Sequence, residues 1–293
     1  MSGSLRLVSI LALCLATLSV GMVSAQAPPY LLITNEYDDA RAGVARYSLG
    51  GTYLGQLSTL RSSGIAVMGP AAYVSRVGSG AIYRYALDGT LLGTFNTTGG
   101  SSQDIATLGG NLYIGDWDSY VRVYTPGGAL LDYRAFGGGV VGVCGDGGSN
   151  MYVADWSGAV SKWDVSTSTS TVLYNLGTQA YGVALNGSDV YASAIYQGAI
   201  YKNGVAWQTG LGSEIRGLLA HGGILYAAKY SSHQILRFDL GTGASLGPIG
   251  GSVPELWNPM NIDVVVPEPA ALTTLLLGSA FAAGFIRRPK RRA

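Results

Sequence analysis

Between residues 30 and 265, apolar and polar residues alternate in short runs separated by glycine-rich turns. A period of two over such runs predicts antiparallel β-strands, not helices. A Tyr-containing apolar strand recurs as Ala72-Tyr73-Val74, Leu112-Tyr113-Ile114, Met151-Tyr152-Val153, Val190-Tyr191-Ala192 and Leu225-Tyr226-Ala227, with Leu31-Leu32-Ile33 as the earliest copy. Steps of 40, 39, 39 and 35 residues separate the successive tyrosines. A short apolar strand precedes each copy, as at Gly64 to Val67 and Gly182 to Ala184, and an alternating strand follows, as at Val121 to Tyr124 and Ile235 to Phe238. A fourth strand closes most copies, with Gly89 to Phe95 matching Gly51 to Gly55. Four strands in about 40 residues, repeated six times, predict an all-β fold, a six-bladed β-propeller. The first copy lacks its leading strand, and Met260 to Val265 carries the missing pattern. That C-terminal strand is therefore expected inside the blade of residues 30 to 57, with Ile262 and Val264 paired to the strand of Leu32, so that no sheet edge is left exposed.

The two ends read differently. Arg6 precedes an uncharged apolar stretch from Leu7 to Val20, then small residues to Ala25 and Ala27, the pattern of a secretory signal peptide over residues 1–25. At the other end Val266-Pro267-Glu268-Pro269 precedes 17 uncharged residues, Ala270 to Ile286, and a cluster of Arg287, Arg288, Lys290, Arg291 and Arg292. As a helix that span reaches about 25 Å against a hydrocarbon core of roughly 30 Å, workable for a transmembrane helix with snorkelling arginines. A basic tail stays on the cytoplasmic side, leaving the body outside. Residues 266–293 together resemble the PEP-CTERM sorting signal of Gram-negative bacteria that make extracellular polysaccharide. The resemblance implies recognition of the Pro-Glu-Pro region by exosortase, a membrane transpeptidase, and removal of the tail. An ordinary single-span anchor is the alternative.

Without Arg6 and the five tail cations, 12 basic residues face 17 acidic ones between Glu36 and Glu268, a net charge near −5. With no clustered basic stripe, the body lacks the electrostatic footprint of a nucleic-acid binder. Charged residues are only 12% of the chain, while glycine reaches 44 and tyrosine 19, which argues against disorder. Of two cysteines only Cys144 lies in the body, so no internal disulfide is available, and its neighbours Val143 and Gly145 suggest a small core residue.

Catalytic motifs are scarce. Gly137, Gly139 and Gly142 fit G-x-G-x-x-G, but a strand follows where a dinucleotide site needs a helix, so they read as turn glycines. His221 and His233 have no Cys or carboxylate at ligand spacing, and no G-x-S-x-G elbow occurs. The repeats are similar to the propellers of the NHL, streptogramin lyase and lactonase group. That resemblance implies a ring fold and transfers no catalytic histidine, because no matching motif is present.

One face of the ring remains. Its loops carry Glu36, Arg61, Gln103, Asp104, Asp116, Trp117, Asp118, Asp155, Trp156, Tyr181, Tyr196, Glu214, Arg216, Tyr230 and Asn261. Aromatic faces beside carboxylates and amides suit a sugar polymer. Trp117 and Trp156 follow Asp116 and Asp155 one repeat apart, so they are expected side by side, spaced by one blade, as stacking platforms for an extended ligand. Asp116, Asp118, Asp155, Tyr196 and Tyr230 are the accompanying candidate contacts. Two other readings stand beside this one: the tryptophans as packing wedges between blades, and the carboxylates as oxygen ligands for Ca²⁺ or a catalytic metal. The expected function is an exported binding or scaffold propeller of the cell envelope or extracellular matrix, associated with exopolysaccharide and needing no cofactor. Its competitor is a hydrolase or lyase with a metal in the central channel.

Overall fold

The computed structural model describes residues 27–36, 43–212, 214–250 and 256–267. Six antiparallel sheets of four strands, joined by turns and loops, make up the body. Each sheet is one blade, whose strands follow one another from the channel outward. Blade 1 is Pro259–Val265, Tyr30–Asn35, Gly43–Ser48 and Tyr53–Ser58; blade 2 is Ser62–Met68, Ala71–Arg76, Ala81–Ala86 and Leu91–Asn96. Blade 3 is Ser102–Leu108, Asn111–Asp116, Tyr120–Tyr124 and Leu130–Ala135; blade 4 is Val140–Gly145, Asn150–Asp155, Ala159–Asp164 and Thr169–Asn175. Blade 5 is Ala180–Asn186, Asp189–Ala194, Ala199–Lys202 and Val205–Gln208; blade 6 is Ile215–His221, Ile224–Lys229, Gln234–Asp239 and Ile249–Gly250. The single helical turn among the described residues is the 3₁₀ segment Tyr230–Ser232.

Every inner strand touches the inner strand of the next blade, and the series returns from blade 6 to blade 1. This ring, Tyr30–Val265, is one compact unit. Blade 1 is built from both ends of the repeat region, with Tyr30 opposite Val265, Leu31 opposite Val264, Leu32 opposite Asp263 and Ile33 opposite Ile262. The closing strand thus sits where the pattern of Met260 to Val265 places it. Among the described residues no helix is long and apolar enough to cross a membrane. The signal peptide expected over residues 1–25 and the expected span Ala270 to Ile286 lie outside them.

Because each blade packs between two others, the second strands are buried on both faces, while the third strands bury mainly alternate residues. Six apolar clusters result, one at each blade-to-blade junction. The repeated tyrosines belong to them: Tyr73, Tyr113, Tyr191 and Tyr226 are buried, as is the third-strand series Tyr47, Tyr85, Tyr124, Trp163 and Phe238. Large aromatics supply the area that a disulfide-free body needs.

Around the channel the inner strands approach too closely for side chains. At the level where the pairing register shifts, the inner strands of blades 2, 4, 5 and 6 carry Gly64, Gly142, Gly182 and Gly217, while blades 3 and 1 carry Asp104 and Asn261. Gly142 is therefore a strand glycine, as the short apolar strand Gly142-Val143 ahead of Met151-Tyr152-Val153 has it, and not the turn glycine that its spacing from Gly137 and Gly139 suggests. A Cβ on it would run into the backbone carbonyl of Tyr181 in the next blade. Backbone cannot step aside as a flexible side chain can, so Gly142→Ala is expected to lower the melting temperature by about 5–10 °C. Gly100→Ala is the control, since a Cβ there meets nothing within 4 Å. Equal melting curves for the two variants would contradict this packing.

Candidate functional site

Asp104 and Asn261 fill the space left by the four glycines. Asn261 Nδ2 donates to Asp104 Oδ1, a contact from blade 1 to blade 3 that passes Gly64 of blade 2. A Cβ on Gly64 would lie 2.6 Å from Asp104 Cα, so the glycine makes room for the crossing. The backbone N–H of Val143 donates to Asp104 Oδ2 at 2.9 Å, tying in blade 4. The contact divides the channel into a lower cavity of about 180 Å³ and an upper vestibule of about 270 Å³.

Asp104, Cys144 and Asp263 line the lower cavity. Burial pushes the Asp104 carboxyl up to about 7, against lowering hydrogen bonds from the N–H groups of Val143 and Ile105. Burial likewise brings Asp263 to about 6 and the half-buried Cys144 thiol to about 12, so the thiol stays protonated and is no nucleophile at neutral pH. Among the described residues no three His, Cys, Asp or Glu side chains gather as metal ligands. His233 stacks on Trp257 at 3.9 Å and accepts the Asn258 N–H at Nδ1.

The upper vestibule has an aromatic wall. Trp117 and Trp156 stand side by side on adjacent blades, and Tyr196 of blade 5 continues the series. The rings are not separated platforms, however. Trp117 and Trp156 touch with centroids 4.9 Å apart and planes at 60°, and Trp156 meets Tyr196 at 6.0 Å and 86°. Loops that are one blade apart at the rim converge toward the axis, which removes the interval expected from the repeat. Trp117 is 45% exposed and Tyr196 56%. Trp156 is half-buried and packs on the small cluster of Val141, Tyr181, Ile195 and Met260 above the channel. Its role combines wedge and surface.

The candidate aspartates are placed differently from the tryptophans that follow them. Asp116 and Asp155 are buried, at 0% and 2% exposure, not displayed on the loop face. Each ends a second strand, with the Asp155 side chain turned onto the following turn and the Asp116 side chain onto the neighbouring strands. Asp155 accepts the Ser157 N–H at 2.8 Å and the Ser157 hydroxyl at 2.5 Å. Asp116 accepts the Ser102 hydroxyl at 3.0 Å and Arg122 Nη1 at 2.8 Å. Asp118 is held by the same arginine through two hydrogen bonds, 2.9 and 2.7 Å. Burial raises the Asp116 carboxyl against the lowering effect of Arg122 and Ser102. Arg122 thus clamps both aspartates flanking Trp117 and fixes the turn that presents it. This arginine escapes a reading of the loops because it lies in the third strand of blade 3; its spacing four residues after Asp118 is the only sequence signal.

Opposite the aromatics lies a charged network. Arg216 Nη1 donates to Glu36 Oε2 at 3.1 Å, and its Nη2 lies 3.8 Å from Glu214. Arg61 Nε donates to the Glu36 carbonyl at 2.6 Å, with Nη2 3.5 Å from its carboxylate. The Arg216 guanidinium covers Tyr230 at 3.6 Å and Tyr181 at 5.4 Å. Tyr230 is therefore apart from the open rings, beneath an arginine. Burial works against the charge of Arg216, but Tyr181, Glu36, Tyr230 and Glu214 hold its pKa above the usual arginine value. Burial also pushes the Tyr181 hydroxyl up to about 12. Val266 and Pro267 follow the closing strand, while Glu268 and Pro269 fall outside the described residues.

No protein family and no curated protein matches this sequence. Solved structures do. A chain of the nidogen/laminin complex superposes with a TM-score of 0.69 at 16% identity, covering 81% of this chain and 98% of that one. The WD40 repeats of RRP9 give 0.56 at 15% identity over 77% and 82%. The computationally designed Ika8 protein gives 0.52 at 15% over 81% and 80%. Likeness at this identity shows the fold, a six-bladed propeller, and nothing of its chemistry.

Proposed function

We propose that this chain is an exported, non-enzymatic binding or scaffold propeller of the cell envelope or extracellular matrix, associated with extracellular polysaccharide, that binds sugar in the upper vestibule. The observation that carries the reading is the wall of Trp117, Trp156 and Tyr196 facing Glu36 and Arg216 across about 270 Å³, with Gln103 in the floor. Aromatic faces pack against the C–H surface of a sugar while amide and charged groups meet its hydroxyls. A propeller of this shape stands in a nidogen/laminin complex, so the fold is compatible with a binding role. A glycan array probed with the full-length chain, purified in a detergent without a sugar headgroup, tests it. Trp117→Ala is expected to weaken glycan binding by about ten-fold with stability within about 1 kcal/mol of wild type, as at other exposed positions. Trp156→Ala is expected to weaken binding and also to cost about 1–3 kcal/mol, because part of that ring is core. Absence of binding to every glycan on the array would refute the reading.

Export is proposed from residues 1–25, and sorting from Val266-Pro267-Glu268-Pro269, the span Ala270 to Ile286 and the basic cluster, with exosortase as the partner that removes the tail. The form recovered outside the inner membrane is then expected to lack residues 1–25 and Arg287 to Ala293 by intact mass. A full-length C-terminus on that form reduces the segment to a plain anchor.

A further inference from the structure

On the reading that the upper vestibule binds sugar, we infer that it takes one uncharged sugar ring end-on, the terminal residue of a glycan or the free monosaccharide, and not a run of residues within a chain. The vestibule is blind. Its floor residues Gln103 and Met260 are the chain neighbours of Asp104 and Asn261, whose side chains meet across the channel, so a septum about one residue thick separates it from the lower cavity.

The ring geometry points the same way. A polymer laid along a surface stacks on faces that lie roughly parallel along its path. Here Trp156 meets Trp117 at 60° and Tyr196 at 86°, which makes a corner around one spot. A volume near 270 Å³ lies just below the roughly 300–1,000 Å³ of clefts that hold drug-sized ligands, and so suits a single ring.

Charge decides the class. Among the described residues Arg61 and Arg216 are matched by Glu36 and Glu214, so these four side chains add no net charge to attract an acid or a base. The cation in the site already lies on Tyr230 and Tyr181, whereas no described cation covers Trp117, Trp156 or Tyr196. Those faces are left for C–H surface, with Gln103 in the floor and Glu36 in the opposite wall for hydroxyls.

The test is a fluorescence titration of the full-length chain, reading its tryptophans. The probes are methyl glycosides and free forms of glucose, galactose, mannose and N-acetylglucosamine, glucuronate and galacturonate, and matched oligosaccharides from disaccharide to hexasaccharide. At least one neutral methyl glycoside is expected to bind saturably, within about three-fold of the hexasaccharide carrying the same terminal residue and about ten-fold tighter than the matching uronate. Its affinity is expected to hold between about 50 and about 500 mM salt, since no charge pair forms with the ligand. Binding of the free sugar alone assigns the ligand as a monosaccharide; binding of glycosides and oligosaccharides alike assigns a chain end. Trp117→Ala and Gln103→Ala are expected to weaken either one.

A hexasaccharide binding about ten-fold tighter than the methyl glycoside, or a uronate binding tighter than the neutral sugar, overturns the end-on inference while the sugar reading stands. Monosaccharide binding that neither variant weakens moves the site elsewhere and overturns it as well. Failure of every probe removes both.

Discussion

Ending the chain before Met260 is expected to abolish cooperative folding, whereas ending it after Pro267 leaves the melting curve of the ring unchanged. The strand Pro259–Val265 is the inner strand of blade 1, not an appended tail. It buries Met260, Ile262 and Val265 to 4%, 4% and 2% exposure. Deleting one such side chain costs about 2–5 kcal/mol, and a whole domain has only about 5–15 kcal/mol in hand. Three deletions together with a lost sheet edge exceed that margin. The polar losses add to it: Thr34 Oγ1 accepts the Asn261 N–H at 2.8 Å, Asp263 accepts the Val67 N–H at 2.6 Å, and Asp104 would lose the amide that meets it across the channel. Buried groups deprived of partners are each expensive. Circular dichroism melts of the two truncations decide the matter. A cooperative transition near the wild-type temperature in the shorter chain would show that the ring closes without this strand.

The ring was legible because its signal is carried by many residues at once. A spacing of about 40 repeated from Tyr73 to Tyr226 survives changes at any one position, and the displaced first strand is visible as a gap in one copy and a surplus in another. The site was legible only as a set of loops. Whether Asp116 faces water or the interior depends on Ser102 and Arg122, which come close only after the strands pair, whereas Asp155 is held by Ser157 two residues on. Arg122 reads along the chain as one polar residue in an alternating strand. Read with Gly137 and Gly139, Gly142 looks like a turn residue, yet the need for it comes from Tyr181, 39 residues on and in another blade. The interval between Trp117 and Trp156 was predicted from repeat spacing, and repeat spacing fixes angular position around the axis without fixing the radius at which side chains meet.

That dependence on tertiary partners makes Arg122 the most exposed point of the site to mutation, and Arg122→Ala is expected to cost about 3–5 kcal/mol at pH 7.5, the usual result of stranding a buried charge. Nearly all of this falls on Asp116, which is fully buried and keeps only the Ser102 hydroxyl as a donor. Asp118 contributes about 0–1 kcal/mol, because its side chain is 42% exposed and water replaces the lost partner. Space around the pair is tight, for a Cβ on Gly99 would lie 2.6 Å from Arg122 Nη1, so no neighbouring cation can move in. Burial already raises the Asp116 carboxyl, and loss of Arg122 raises it further. A carboxyl raised in the folded state holds its proton there more tightly than in the unfolded chain, where it titrates near about 3.9. Stability of the variant therefore falls as pH rises above about 4, and the deficit relative to wild type is larger at pH 7.5 than at pH 5. Asp116→Asn in the same chain removes the charge that was stranded and is expected to recover much of the loss at pH 7.5 but little at pH 5. Urea unfolding of the wild type, the single variant and the double variant at both pH values measures each term. A deficit below about 1 kcal/mol, or one that does not change with pH, would mean that Asp116 finds water or another donor and that Arg122 is not what holds the turn of Trp117.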